Sequence, residues 1–555
     1  MTNALAGSNI RHVPINRHAT TGFNLFYTSS ENMQTDWLKF KKYPHIGEPL
    51  TEKDLAWVVR YVTDPQNIST HKFVPLLHKV ITQRKYRPES PASKNGSGKR
   101  NRTVKDPKKR HIFYASHLDS IIYSYYNSIL ATAYEKYLSD KGYKNVAVAY
   151  RKIPKDDTCS GNKCNIEFAY DAFRFILDNK SRELSVIVAD VTSFFDNLDH
   201  KLLHQQWKKV LGVSDLPADH YKIFRNLVNY TYVDVIDLFE RFKDRIIVER
   251  FKPNDTSCKE LKRKRISKIK NMRYENAVAF CDKTEFFRTA TDLIKADKPY
   301  ASTVREKLGK DARKGIPQGT PISATLANIY MIDFDDAIYK EASSRRAYYQ
   351  RYSDDLIIIC DRADEKYFYD LIIRDIDAIT RLEIQAGKTH IYRYDENCNG
   401  NLVGGIVMED GNVSPNKQLE YLGFAFDGTK VRVKTSGFSK FYRNMKRAFK
   451  RGAFFAKKPH IPSDKLFEGR LYKRFTHLGA KRRLKWKQDS SNPSGFKRTT
   501  KYDWGNFISY LIKADNVMAD INHDKSISAQ GRKIWPKFHR LKKQAYEDID
   551  KHKKG

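Results

Sequence analysis

Two short apolar runs in this chain terminate in carboxylates, and that arrangement constrains the fold more than any other feature. Leu184-Ser-Val-Ile-Val-Ala-Asp190 is β-branched and continuous, as suits a buried strand ending in an acid. Far along the chain, Tyr352-Ser-Asp-Asp355 lies between two apolar runs, and Leu356-Ile-Ile-Ile359 carries the strongest strand signal in the sequence. The spacing predicts a strand, a turn and a strand, with Asp354 and Asp355 at the tip. A lone acidic pair in a turn is ordinarily just solvated. Three acids at the ends of adjacent strands are a different matter, because magnesium prefers hard oxygen ligands. Phosphoryl transfer asks for two such ions about 3.5–4 Å apart. The condition is that the two strands be neighbours, which residues more than 160 positions apart do not establish alone.

Around these runs the chain divides by pattern. Apolar and aromatic residues at helical spacing (Leu118, Ile121, Ile122, Tyr125, Tyr126, Ile129, Leu130) predict a packed helix over 117–137. Another is predicted from Asp199, whose side chain can cap it, through Leu202, Leu203, Trp207 and Val210. Gly315-Ile-Pro-Gln-Gly-Thr-Pro321 reads as a tight loop. Thr320 and Pro321 then serve as cap and first-turn proline of a helix with Ile322, Leu326, Ile329 and Tyr330 on one side. Residues 89–110 combine turn formers with clustered cations and read as a mobile basic loop. Residues 230–312 are charged and helix-compatible, and include Lys259-Glu-Leu-Lys-Arg-Lys-Arg-Ile-Ser-Lys-Ile-Lys270, either a solvated face or a nucleic-acid contact. From 431 to 555 the composition turns basic and aromatic, as expected of a helical domain with a loop over 489–500.

Charge narrows the partners. The 555 residues carry 102 Lys and Arg against 65 Asp and Glu, a formal net charge of +37, which points to a polyanion, with nucleic acid leading. The 40% hydrophobic content supports a substantial core divided into two to four units. No run approaches the roughly 18 consecutive apolar residues of a membrane span. Met1 to His18 is polar and broken by Pro14, unlike a secretory signal, so a cytoplasmic location is expected and no membrane partner. The cysteines at 159, 164, 258, 281, 360 and 398 form no Cys-x-x-Cys pair and read as ordinary reduced thiols.

The motifs become specific when read together. Ala189-Asp-Val-Thr-Ser-Phe-Phe-Asp-Asn-Leu-Asp-His200 resembles the first catalytic motif of reverse transcriptases, in its bacterial and group II intron form. Gly315-Ile-Pro-Gln-Gly-Thr-Pro-Ile-Ser-Ala-Thr-Leu-Ala-Asn-Ile-Tyr330 is similar to the next motif, and Tyr352-Ser-Asp-Asp355 to the Tyr-x-Asp-Asp box. The resemblance covers about residues 100–430. It implies an α+β right-hand polymerase: an N-terminal helical extension of the fingers (1–100), fingers (101–185), a palm (186–430) with a helical insertion at about 230–312, and a basic helical thumb or C-terminal domain (431–555). Its catalytic residues would be Asp190, Asp354 and Asp355, and the metal set these with Val191, holding two Mg2+ ions or, alternatively, Mn2+. Lys105-Asp-Pro-Lys-Lys-Arg110 resembles the fingers loop that holds the triphosphate. It nominates Lys105, Lys109 and above all Arg110, because guanidinium binds phosphate bidentately. Ala149-Tyr-Arg151 nominates Arg151. Phe195 falls where the family places an aromatic ring under the nucleotide sugar, which favours deoxynucleotides. Gln318 would line the nucleotide pocket, Lys388 of Leu382-Glu-Ile-Gln-Ala-Gly-Lys-Thr389 would contact phosphate, and Leu422 and Gly423 of Leu419-Glu-Tyr-Leu-Gly-Phe-Ala-Phe426 would form the primer grip.

Within the family, the cysteine pattern offers no zinc endonuclease. Leu402-Val-Gly-Gly-Ile-Val-Met408 stands where a retron enzyme shows Val-Thr-Gly, and the Pro-Gln-Gly loop departs from diversity-generating enzymes. What remains resembles the defence-associated (abortive-infection and unknown-group) reverse transcriptases of bacteria. That resemblance implies DNA synthesis in antiphage defence from dNTPs, on an RNA template that could be an associated noncoding RNA. Template-independent or protein-primed synthesis, a catalytically silent binding scaffold and a homo-oligomer stay open.

Overall fold

A computed structural model of the chain describes residues 36–89, 101–156, 161–252, 255–296, 314–415, 417–458, 465–481, 484–488, 495–502 and 505–554. The fold is α+β, with largely antiparallel sheets packed against helices. Its centre is a six-stranded sheet in the order Val413–Ser414, Leu402–Val407, His390–Glu396, Leu184–Asp190, Asp355–Asp361, Tyr348–Tyr352. Every pairing in it is antiparallel.

Both faces of the two central strands, Leu184–Asp190 and Asp355–Asp361, are buried, which is why they read as continuous apolar runs rather than alternating ones. Side chains alternate across a strand. Ile187, Ala189, Leu356 and Ile358 face one core, shared with the helices His117–Lys141, His200–Leu211 and Ser323–Tyr330. Leu184, Val186, Ile357 and Ile359 face a second, shared with Asn165–Asp178, Thr435–Ala456 and Ile534–Lys554. A one-residue slip would exchange the two sets, so packing on both sides locks the register.

The helix expected over 117–137 runs from His117 to Lys141, capped by the Ser116 hydroxyl accepting from the Asp119 amide. The helix after Asp199 spans His200–Leu211, with the Asp199 carboxylate accepting the Leu202 amide at 2.9 Å. Elsewhere the structure corrects the sequence. Of the expected basic loop at 89–110, residues 90–100 lie outside the described residues, and Arg102–Tyr114 is a strand paired with Leu76–Pro88. Main-chain pairing needs no apolar side chain, so exposed Lys108, Lys109 and Arg110 hide a strand anchored by buried Phe113. Leu76–Pro88 also brings a long strand into the N-terminal segment, beside the helices Leu55–Thr63 and Pro65–Thr70.

The insertion expected to be helical contains instead a four-stranded sheet, in the order His45–Ile46, Ala277–Cys281, Ile246–Lys252, Asp255–Lys264, packed on helices Val235–Phe242 and Lys283–Thr289. Its charges mimic helix pairs but bond across strands, as Lys259 does with Glu249 at 2.8 Å. Residues 297–313 lie outside the described residues. The helix after Pro321 begins only at Ser323, because the Thr320 hydroxyl meets that of Ser323 at 2.5 Å rather than capping a backbone amide. The C-terminal region is largely helical, yet includes the hairpin Leu484–Gln488 with Phe496–Tyr502, so part of the expected 489–500 loop is strand and the rest lies outside the described residues. Among the described residues no helix is long and apolar enough to cross a membrane. Cys164, Cys281, Cys360 and Cys398 are free thiols, and Cys159 lies outside the described residues.

Candidate active site

The central strands decide the geometry. Leu184–Asp190 and Asp355–Asp361 pair over seven residues, and the pairing sets Asp190 opposite Asp355. Directly opposed residues of an antiparallel ladder lie about 4.5–5.5 Å apart at Cα. The Val191 amide then donates to the Asp354 carbonyl at 3.0 Å, so the strand end carrying Asp190 is stitched to the hairpin tip. The tip is a two-residue turn in which Ser353 takes a left-handed φ of +63° between Tyr352 and Asp355, which pair. Such strain in a residue with a side chain costs about 1–3 kcal/mol and needs support from its surroundings.

That support comes from Arg351, which is fully buried. Its guanidinium donates to both carboxylate oxygens of Asp335, at 2.8 and 2.6 Å, and to the Ser353 carbonyl at 3.0 Å. The Tyr349 hydroxyl completes Asp335 at 2.8 Å. Sequence reasoning missed both residues. The available signal was a lone arginine, three residues before the acidic pair, in a strand otherwise of Tyr and Gln.

The convergence has an electrostatic consequence. Removal from water, then the negative charges of Asp354 and Asp190, push the Asp355 carboxyl up to about 6. A group so crowded by like charge favours either a proton or a cation. One cation is at hand, since the Lys388 ammonium contacts the Asp190 carboxylate. Lys388 is brought there by its own segment: the Gln385 amide donates to the Asp190 carbonyl at 2.8 Å, and Ile384 bridges to Val191. Among the described residues no three acidic, histidine or cysteine side chains already enclose an ion-sized space. The excess negative charge at the strand ends nevertheless suits divalent cations, and Asp190, Asp354 and Asp355 are the groups that would hold them.

The remaining expected residues fall into three sets. Phe195 is half-buried, and its carbonyl accepts the Ile316 amide at 3.0 Å, so the segment after Asp190 is joined to the Pro-Gln-Gly loop. Gln318 in turn accepts the Phe113 amide through its carbonyl at 2.9 Å, and a Cβ on Gly319 would meet the Phe113 carbonyl at 2.5 Å. Only glycine allows that contact. Arg110 is exposed three residues earlier on the Phe113 strand, about 10 Å away at strand rise. Lys109 is exposed beside it, and Lys105 lies farther out on the strand. In the second set, Leu422 and Gly423 form a tight turn with φ of +45° and +92°, between Tyr421 and Phe424. Arg151 stands apart: its guanidinium donates to Glu135 and to the carbonyls of Lys144 and Ala147, and its side chain is 5% exposed. Those bonds fix it as a brace between Glu135 and the Lys144–Ala147 segment rather than a free phosphate ligand. Its neighbour Tyr150 is exposed with φ of +64° and lies near Tyr352, a position the sequence did not mark.

Comparison with known proteins fits this geometry. Residues 252–426 match the reverse transcriptase (RNA-dependent DNA polymerase) family. The match takes in Gln318, Asp354, Asp355, Lys388, Leu422 and Gly423 but not Asp190, whose place follows from the strand register alone. No curated protein sequence matches the chain. Similar solved structures include apo telomerase from Candida tropicalis truncated from the C-terminal domain, at 12% identity and a TM-score of 0.33, covering 70% of this chain and 61% of that one. Another is telomerase from Candida albicans in complex with a TWJ fragment of telomeric RNA, at 13% identity and a TM-score of 0.32, covering 90% and 69%. The chain thus spans about three fifths of the length of the first.

Proposed function

We propose that this chain is a reverse transcriptase, an RNA-directed DNA polymerase that extends a primer with deoxynucleotides. The observation that carries the reading is the register that sets Asp190 against Asp355 at the tip of a strained, braced hairpin. Divalent cations bound there, Mg2+ above all, would supply the charge that activates a primer 3′ hydroxyl and stabilises departing pyrophosphate. The chain's own residues do the positioning. Arg110 and Lys109, exposed on the fingers strand, receive the triphosphate; Gln318 and Phe195, joined through one loop, form the base and sugar side of the pocket; the Leu422–Gly423 turn seats the primer end. Lys388, with its ammonium on Asp190, passes to the incoming phosphates when cations take its place.

In this reading the partners are an RNA template, dNTPs and a DNA product, and the cellular role is antiphage defence in bacteria with an associated noncoding RNA. The support for that role is the motif pattern after the catalytic box and the absence of a zinc-endonuclease signature in the sequence. The test is magnesium-dependent incorporation of radiolabelled dNTPs on a primed RNA template. Asp354→Asn with Asp355→Asn should drop incorporation to background, a loss of at least about a thousandfold given the barrier that such charge stabilisation lowers, while circular dichroism stays unchanged. Wild-type incorporation no higher than that of the double variant would sink the proposal and leave a binding scaffold. Incorporation that persists without template would point to template-independent synthesis on the same palm.

A further inference from the structure

The hairpin Leu484–Gln488 with Phe496–Tyr502 lies outside the family match and pairs with no other strand among the described residues. Residues 481–502 carry eight Lys and Arg against the single Asp489. Trp486 is 64% exposed and Phe496 51%, and Trp486 joins none of the buried cores. The register sets Trp486 opposite Arg498, with Phe496 two residues away on the same face, within diagonal reach. Lys485 and Lys497 alternate onto the other face and are exposed. No ion pair to Lys485, Lys497 or Arg498 occurs among the described residues. An aromatic face on a cationic ribbon is the composition that binds unpaired bases by stacking and their phosphates by charge.

A two-stranded hairpin is marginal alone, and this one is held at its base. The Ser509 hydroxyl donates to the Ala480 carbonyl at 2.5 Å, and the Asn506 amide to the carbonyls of Lys473 and Thr476 at 3.1 and 2.7 Å. Asn506 caps the helix Phe507–Val517, which carries Tyr510 on its first turn. The Asn165 side-chain amide donates both to the Tyr510 hydroxyl and to the Leu422 carbonyl, each at 3.1 Å. One helical turn therefore separates the foot of the hairpin from the contact with the turn assigned to the primer end.

We propose that this hairpin binds single-stranded nucleic acid, with a base stacked on Trp486 beside Arg498 and phosphates held by Lys485 and Lys497. The hairpin is the landing site for the unpaired strand that enters or leaves the palm past Leu422. The strand's path rests on the polymerase reading; the binding surface does not. The probe is fluorescence anisotropy of full-length protein with labelled single-stranded RNA, single-stranded DNA of the same sequence and a blunt duplex. Trp486→Ala with Arg498→Ala should weaken single-strand binding by roughly tenfold to a hundredfold, the range for one lost stack, and leave the duplex within about twofold. Trp486→Phe should retain most of the affinity. Lys485→Ala with Lys497→Ala should flatten the salt dependence by about 1.4 log units per log unit. A loss confined to RNA assigns the template, one confined to DNA assigns the product, and both support the site. Trp486→Ala with Arg498→Ala should lower single-strand affinity by the same factor in wild type and in the Asp354→Asn, Asp355→Asn protein, whether or not the chain polymerises. Equal single-strand affinity of wild type and Trp486→Ala/Arg498→Ala, or an equal loss on duplex, overturns the proposal.

Discussion

The central six-stranded sheet and the insertion sheet both pair their long strands antiparallel, yet they are held by different forces. In the central sheet, Leu184–Asp190 and Asp355–Asp361 are apolar on both faces, and the charged groups at the tip are the acids, Lys388 on Asp190 and a fully buried Arg351–Asp335 pair. In the insertion, Ile246–Lys252 and Asp255–Lys264 carry charges on their open face, paired in the order Glu249 with Lys42 and Lys259, and Glu275 with Arg250 and Lys264. Burial locks register to a single residue, and a site made of three separate acids needs that. Exposed ion pairs tolerate drift, because salt and water screen them.

The comparison can be broken most forcefully at Arg351. Arg351→Met leaves Asp335 charged and buried without its partner, which costs about 3–5 kcal/mol, seen as a large fall in the urea midpoint. Pairing it with Asp335→Leu should recover most of that stability, since an apolar replacement for both partners is often neutral. Incorporation should not recover, because the Ser353 carbonyl still lacks its donor. Recovery of both would reduce Arg351 to a packing residue.

A smaller effect is expected at Asp355. Its folded-state carboxyl, near 6, lies above the ordinary value of 3.8, so its ionised form opposes folding, and that cost sets in as pH rises through 4 to 6. Without divalent ions, Asp355→Asn should therefore melt higher than wild type at pH 7.5, and the gap should close below about pH 4. Added Mg2+ should raise the wild-type melting temperature more than that of Asp355→Asn, because an ion that binds only the folded chain stabilises it. Identical magnesium responses would contradict metal binding by Asp355. The smallest effect belongs to the insertion: Glu275→Gln should cost no more than about 1 kcal/mol in dilute buffer, and the loss should vanish in molar salt. A cost that survives high salt would show that this sheet, too, is fixed by burial.

The same contrast explains what the sequence made legible. Asp190, Asp354 and Asp355 end continuous apolar runs, and their strands, turn and capped helix at Asp199 are all local patterns. The insertion strands were read as helix because their cations and acids alternate at spacings that suit both structures, and the cross-strand partner Glu249 lies outside the window that contains Lys259. Arg151 was misread for a related reason. Its motif is a local resemblance, but Glu135, which claims its guanidinium, belongs to a helix sixteen residues back. The role of Arg351 was not legible because its partner Asp335 sits on a separate helix, and only the tertiary fold brings the two together.

The contact between Gln318 and Phe113 carries a mechanical consequence. A main-chain hydrogen bond joins the two segments, and Gly319 leaves no gap between their backbones. The long ribbon Leu76–Pro88 with Arg102–Tyr114 and the Pro-Gln-Gly loop are thus joined at one seam, so neither can shift without the other. Any bending of the ribbon drags the loop that follows Gly315 with it, so the two segments move as one body.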